Sequence, residues 1–386
     1  MFVNRDKLIH LLQPNHYFNS EFFELEKEKL FKPAWHFVAV LDEIPNHGDY
    51  LTKTVCDVPL LIRNHEGEPR VYLNVCGHRH SRITCEKKGN CPVIRCQYHG
   101  WEFKENGNTG RIPDANCFRP FDRENTRLKC FPAVLCGRLI FTALSDETPD
   151  FDEFMGGRKA VLEEWFDGSE YHFGSRTDYD VEANWKVPVE NTLESYHVDH
   201  LHAKTIGKHP EEKNQEHDFG QNFSSLYTSE PPTLVRNFQD GLMKCLGVKD
   251  ITHKYTHHLI YPNIMIIGLD PMTMIQTYVP VSPTSFRWEG IVFVRSATHW
   301  TRKWFEAISS PIIKLGAKSV VEEDVPIYSE VQAGLQSSCH PGVVGTIEER
   351  IYAFQEYILH ECEGREMQGS QKWKSKALIS PSVTES

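Results

Sequence analysis

The chain has 386 residues, of which 40% are hydrophobic and 25% charged, with a formal net charge of −11. That length allows two ordinary domains with a substantial core, and the composition reads as globular. The acidic balance, with no Lys/Arg block, argues against nucleic acid or an anionic membrane as partner, and no run approaches the ~20 apolar residues of a membrane span.

In chain order, residues 21–32 carry apolar side chains at helical spacing and predict a helix within an N-terminal helical segment, 1–34. From Trp35 the pattern changes to short strand-like runs broken by Gly, Pro and Asn. Ala39-Val40-Leu41, Leu60-Leu61-Ile62 and Arg138-Leu139-Ile140-Phe141 are examples, and they predict an all-β module over 35–148. Ser145-Asp146-Glu147-Thr148-Pro149-Asp150 reads as the boundary. Strand candidates follow at 259–261, 265–267, 274–279 and 286–293, then helices around 301–336 and 346–362. Long antiparallel strands with a C-terminal helix suggest a sheet curved around that helix and enclosing a pocket, over 149–366. A polar tail, 367–386, closes the chain. The fold class expected is α+β.

Eleven cysteines in a chain this long point to a reducing compartment rather than a disulfide framework. Met1–Lys7 lacks a signal-peptide profile, so a cytoplasmic location is expected. Four residues carry a more specific message. Cys76-Gly77-His78 and Cys96-Gln97-Tyr98-His99 each supply one thiolate and one imidazole, with seventeen residues between the two stretches. A Rieske-type [2Fe–2S] cluster needs that set: two thiolates hold one iron and two imidazoles the other, which raises the potential to about −150 to +300 mV. Zinc also takes mixed Cys/His sets, but common zinc fingers group Cys with Cys and His with His. Cys91-x4-Cys96 opens a plant-type ferredoxin pattern that would require Cys where His99 stands. Cys85 and Cys91 are read as loop or packing thiols.

The segment from Asn184 to His202 holds Glu194, His197, His200 and His202. Two His and one carboxylate with open positions left over form the facial triad of non-haem Fe(II) oxygenases. Spacing alone favours His197 with His200, because residues three apart share a helix face. His197 and His202 lie about 140° apart on a regular helix and converge only if the helix ends or bulges between them. An ordinary exposed His cluster is the plain alternative.

Asn74-Val75-Cys76-Gly77-His78-Arg79 and Cys96-Gln97-Tyr98-His99-Gly100-Trp101-Glu102-Phe103 resemble the cluster loops of the Rieske non-haem iron oxygenases, large (alpha) subunit, of the aromatic-ring-hydroxylating and quaternary-ammonium type. That family more often has Pro at 77 and Gly at 80; this chain has Gly77 and His80. Respiratory Rieske proteins brace the loops with a disulfide, where this chain has Ser81 and Tyr98. The resemblance implies a helix-grip catalytic domain behind the Rieske domain. Its acid-x2-His-x4-His pattern selects His197 and His202 as iron ligands, leaving His200 aside. The segment Glu322-Glu323-Asp324 to Gly334 resembles the family's acidic helix, which assigns the third ligand to Asp324 and leaves Glu322 and Glu323 as a solvated acidic run. Glu194, where the family usually has Asp, is implied to bridge an iron-bound His to a cluster His of an adjacent subunit, and with it a homotrimer.

The resemblance further implies a terminal oxygenase component that hydroxylates a small organic substrate with O₂. Electrons come from a separate flavin or iron–sulfur reductase, so NAD(P)H acts only indirectly; no Gly-x-Gly-x-x-Gly follows a strand here. Monooxygenation is expected, with dealkylation where the oxidised carbon bears nitrogen or oxygen. The alternatives are a cis-dihydroxylating aromatic-ring dioxygenase and, from another class, an electron-transfer iron–sulfur protein with a ligand-binding domain. Met265, Met272, Met274 and Trp288 are expected in the core rather than on the pocket wall.

Overall fold

A computed structural model of the chain describes residues 8–367, except 119, 120, 123, 146 and 230–232. The opening heptapeptide, Asp146 of the expected boundary and the tail beyond Met367 lie outside the described residues. The chain forms two compact units: Phe31–Phe154 with Lys159–Gly168, and the remainder.

In the first unit, β1 (Trp35–Val40), β2 (Asp49–Val55), β3 (Val58–His65), β4 (Glu68–Leu73), β5 (Lys88–Asn90), β6 (Ile94–Arg95), β7 (Glu102–Phe103), β8 (Cys130–Phe131), β9 (Ala133–Cys136) and β10 (Leu139–Ala143) build three sheets. Their orders are β5-β2-β3-β4-β8, β1-β10-β9 and the hairpin β6-β7. β1 is buried at all six positions, as its near-continuous apolar run demands. Val38, Leu60, Ile62, Val71 and Ile140 join the two larger sheets in one core. Helices α2 (Phe151–Phe154) and α3 (Lys159–Phe166) also belong here. Phe151 lies edge-on to Trp35 at 5.2 Å, and Phe166 O accepts from Arg138 N at 2.8 Å.

In the second unit, α1 (Ser20–Glu26) is capped by the Asn19 side chain on Phe22 N. A π-turn, Lys27–Phe31, follows it, so the helix expected over 21–32 keeps α geometry only to Glu26. The main element is a seven-stranded antiparallel sheet in the order β11-β17-β16-β15-β14-β13-β12. Its strands are β11 (Tyr171–Val181), β12 (Gln215–Gly220), β13 (Phe223–Ser229), β14 (Lys254–Ile260), β15 (Ile264–Leu269), β16 (Met272–Ser282) and β17 (Ser285–Arg295). The helices are α4 (Lys186–Thr192), α5 (Val198–Leu201), α6 (Leu234–Leu246), α7 (Lys303–Ser337) and α8 (Glu349–Glu363). α8 buries Arg350, Phe354 and Ile358, four residues apart, and Arg350 reaches Ser224 of β13 and His257 of β14. This is the expected α+β architecture, a sheet with the C-terminal helix packed against it. Glu26 and Lys186, both fully enclosed, pair at 2.6 Å and tie α1 to α4. Among the described residues no helix is long and apolar enough to cross a membrane.

Candidate metal centres and the cavity beside one of them

The two loops of the first unit are built alike. His80 N donates to Cys76 O at 3.0 Å, and Gly100 N donates to Cys96 O at 3.0 Å. Each loop closes on a left-handed residue, His80 at φ 58° and Gly100 at φ 68°. Glycine adopts that conformation freely, and a histidine does so at a cost. Gly77 has a separate reason: a Cβ there would lie 2.6 Å from Thr126 O, a backbone atom. No side chain fits, which accounts for glycine in this loop.

Cys76 and Cys96 are buried in a cluster with Tyr72, Ile83, Ile94 and Trp101, whereas the two imidazoles sit nearer the surface. His78 and His99 have ring centroids 4.7 Å apart, and Trp101 stacks on His78 at 4.6 Å. Burial, with the Cys96 thiol adding to it, pushes the Cys76 thiol up to about 11. Two neighbouring buried thiols shed their protons only to a strong cation. His78 Nδ1 is buried and has no hydrogen-bond partner. An enclosed imidazole nitrogen without a partner, beside two buried thiols, suits iron–sulfur ligation. The eleven cysteines are all free thiols.

In the second unit, α4 ends at Thr192 and α5 is a single turn. His197 occupies its N-cap and His202 its C-cap. The end of the helix at His202 resolves the 140° conflict: the rings come to 5.2 Å centroid to centroid. Asp324, 7% exposed on α7, meets both, with Oδ1 3.1 Å from His202 Nε2 and 3.9 Å from His197 Nε2. One ligand atom from each of the three residues falls within 4.8 Å of the other two. His200 is exposed.

Each Nδ1 is held by a carboxylate. Glu194 Oε1 takes that of His197, and Glu323 Oε2 takes that of His202 at 2.7 Å. Both Nε2 lone pairs are thereby left for a metal, the arrangement a His ligand needs. Burial works against a charged His202, but its bonds to Asp324 and Glu323 outweigh burial and hold its pKa above the ordinary value. Asn191 Nδ2 donates to Asp324 Oδ1 at 3.2 Å. The second oxygen of Glu194 accepts from the backbone of Tyr196 and, at 3.2 Å, of His197. Two imidazoles, one carboxylate and these supports fit Fe(II).

Glu323 corrects the reading of a solvated acidic run, since it also accepts from Thr205 Oγ1 at 2.7 Å. No local signal marks it, because its partner stands 121 residues away. Met272, Met274 and Trp288 correct a second expectation: they line a cavity of about 650 Å³ that His197, His202 and Asp324 also border. Met265 is buried elsewhere. Alternate residues of neighbouring strands, Leu226 and Thr228, Tyr255 and His257, Ile267 and Leu269 of the sheet's one face, form the wall.

The catalytic half, residues 168–364, matches the family model "Ring hydroxylating alpha subunit (catalytic domain)", just over half of the chain. Residues 34–132 match the "Rieske [2Fe-2S] domain". The glycine betaine monooxygenase oxygenase subunit of Pseudomonas aeruginosa is 30% identical over 212 residues, 55% of this chain and 47% of that protein. The anthranilate 1,2-dioxygenase large subunit of Acinetobacter baylyi is 30% identical over 194 residues, 48% of this chain and 41% of that protein. The chain thus spans about half the length of the curated relatives it matches. The structure of the quaternary ammonium Rieske monooxygenase CntA with L-carnitine superposes with a TM-score of 0.73 at 20% identity, over 97% of this chain and 98% of that one. Naphthalene 1,2-dioxygenase with indole gives 0.72 at 18% identity, over 97% and 99%. These two likenesses establish the fold. With a Rieske domain ahead of the matching catalytic domain, the chain belongs to the ring-hydroxylating alpha subunits of the Rieske non-haem iron oxygenases.

Proposed function

We propose that the chain is a terminal oxygenase component, which uses O₂ and electrons from a separate flavin or iron–sulfur reductase to hydroxylate a small organic substrate held in the cavity. The observation that carries this reading is the pair of imidazoles turned by carboxylates toward Asp324 at the edge of a 650 Å³ cavity. A [2Fe–2S] cluster held by Cys76, His78, Cys96 and His99, with an iron ion held by His197, His202 and Asp324, would supply single-electron transfer and O₂ activation.

The remaining work belongs to the chain's own side chains. Glu194 and Glu323 keep the Nδ1 protons in place, so that both Nε2 atoms stay available. Asn191 orients the Asp324 carboxylate. The Ile267, Met274 and Trp288 walls exclude water and present a C–H bond to the metal end. Glu194 is further proposed as the electron link to a cluster imidazole of a neighbouring copy, which makes the working assembly a homotrimer in the cytoplasm. One atom of O₂ enters the product as a hydroxyl and the other leaves as water, with two electrons from the reductase and two protons; where the hydroxylated carbon also bears nitrogen or oxygen, that C–N or C–O bond then breaks to give a carbonyl and the freed amine or alcohol.

The test is O₂ uptake by anaerobically purified holoprotein with a generic reductase, across betaines, carnitines and aromatic acids, with ¹⁸O₂ to count the atoms transferred. One labelled atom per product is expected. Two would establish cis-dihydroxylation, and no uptake with any compound would leave only electron transfer.

A further inference from the structure

Apart from the metal residues, the cavity wall contains one base whose proton position is fixed. His257 on β14 is 2% exposed, and its ring lines the cavity. Arg350 Nη1 donates to its Nδ1 at 3.0 Å. A guanidinium has only donors, so Nδ1 is the acceptor and the ring proton sits on Nε2. Among the described residues nothing takes a hydrogen bond from that Nε2, and it is not one of the atoms sealed inside the protein without a partner. Burial first, then Arg350 and His258, hold the His257 pKa well below 6.5, which keeps the ring a neutral donor.

Arg350 supplies the second observation. It is fully buried. Besides the imidazole, it donates to Ser224 Oγ at 3.3 Å, Ser224 O at 3.2 Å and His257 O at 3.5 Å. Every one of those partners is neutral. Its helix neighbour Glu349 accepts instead from His217 Nδ1 at 2.7 Å. Burial lowers the Arg350 pKa to about 10, which leaves the guanidinium charged at neutral pH. A buried cation without a bonded counter-ion is strongly disfavoured unless something that binds brings the charge. Its hydrogen-bonded route to the cavity runs through His257.

Resting on the oxygenase reading of this cavity, we propose that His257 Nε2, backed by Arg350, seats an anionic oxygen group, so that the substrate is a small organic carboxylate or sulfonate. The carboxylates that border the cavity, Glu194 and Asp324, belong to its metal end. They repel an anion, whereas the Nε2–H of His257, with Arg350 behind it, attracts one. Lys208 and Arg236, also on the wall, add positive potential along the way.

The experiment measures equilibrium binding to the holoprotein by calorimetry, with two matched probe pairs: benzoate against benzamide, and glycine betaine against choline. In at least one pair the carboxylate is expected to bind about tenfold or more tightly than the partner that lacks it, the worth of one hydrogen bond to a charged group. His257→Phe should abolish that preference. His257→Gln, which keeps a side-chain N–H near the Nε2 position, should restore part of it. Cluster absorbance and the melting midpoint check that each variant folds, and if the Phe variant does not, the within-pair ratio of the unmodified protein and the Gln variant decide. Equal binding within both pairs, or failure of both acids to bind, refutes the anion seat. An acid that binds through His257 without O₂ uptake would remove the oxygenase reading and leave the seat standing. Turnover of a neutral compound, with no preference for either acid, would do the reverse.

Discussion

Gly77→Ala isolates the contact between the first cluster loop and the turn at Thr126 of the same unit. An added Cβ would stand 2.6 Å from Thr126 O, 2.8 Å from Thr126 Cα and 2.9 Å from Thr126 C. All three are backbone atoms, so no rotamer change relieves the overlap. Ordinary van der Waals contact begins at about 3.4 Å, and one of the two backbones must therefore yield by several tenths of an ångström. Overpacking of this kind costs about 1–3 kcal/mol. The cost falls on the peptide joining Cys76 to His78, a thiol and an imidazole of the proposed cluster set. The variant is expected to purify with less iron and acid-labile sulfide per chain, weaker visible bands and a lower melting midpoint. His80→Gly serves as the opposite control. It relieves a left-handed histidine at φ 58° in the matching place where the second loop already has Gly100, and should leave the bands intact with stability unchanged or raised by up to about 1 kcal/mol. A Gly77→Ala protein with a full cluster and an unchanged melting midpoint would refute the steric reasoning.

Asp324→Ala is expected to keep the visible bands while losing mononuclear iron and O₂ uptake; unchanged iron content would remove Asp324 from the ligand set. Glu323→Gln exchanges an ionised acceptor for an amide at His202 Nδ1, and should weaken Fe(II) binding by about 10–100-fold. Equilibrium dialysis at several iron concentrations measures it, and equal retention would show the contact to be incidental. Acid should unfold the protein early. Burial holds His36 down to about 4 and, together with Arg158 and Arg350, holds His258 down to about 3. The unfolded imidazoles take up protons near 6.5, so the stability these groups contribute is complete above that pH and is lost as pH falls through the folded values. At pH 5 each has given up about 2 kcal/mol. Urea midpoints at pH 7.5 and 5 report the loss, and equal midpoints would mean that these rings are not buried neutral.

How much of this was legible in the sequence depended on how far apart the partners stand along the chain. The cluster loops are short, so Cys76, His78, Cys96 and His99 stood out from residue type and order alone. His197 and His202 are five apart, and helical spacing pointed to His200 instead. The one-turn α5, ending at His202, decides the matter, and nothing in the composition of 198–201 announces so early an end. Asp324 is legible only through a family resemblance, because it stands 122 positions from His202 and only the placement of α7 brings them together. Glu323 is hidden for the same reason: an acidic side chain in a charged run is ordinarily solvated. Met272, Met274 and Trp288 have apolar character that suits core and cavity wall equally, and the difference lies in what is missing opposite them. The neutral, directed ring of His257 was invisible until Arg350 was placed behind it.

The alternation along β13 to β16 carries an implication for how such a chamber diversifies. Side chains at every second position face the ligand space, while the peptide ladder that holds the strands in register runs through the backbone. Exchanging Ile267 or Met274 therefore reshapes the chamber without touching a single ladder bond. The metal residues stand at the two ends of α5 and on α7, outside those strands, so their geometry is insulated from such changes. One scaffold can then accept new compounds by small steps, each of which leaves the chemistry in working order.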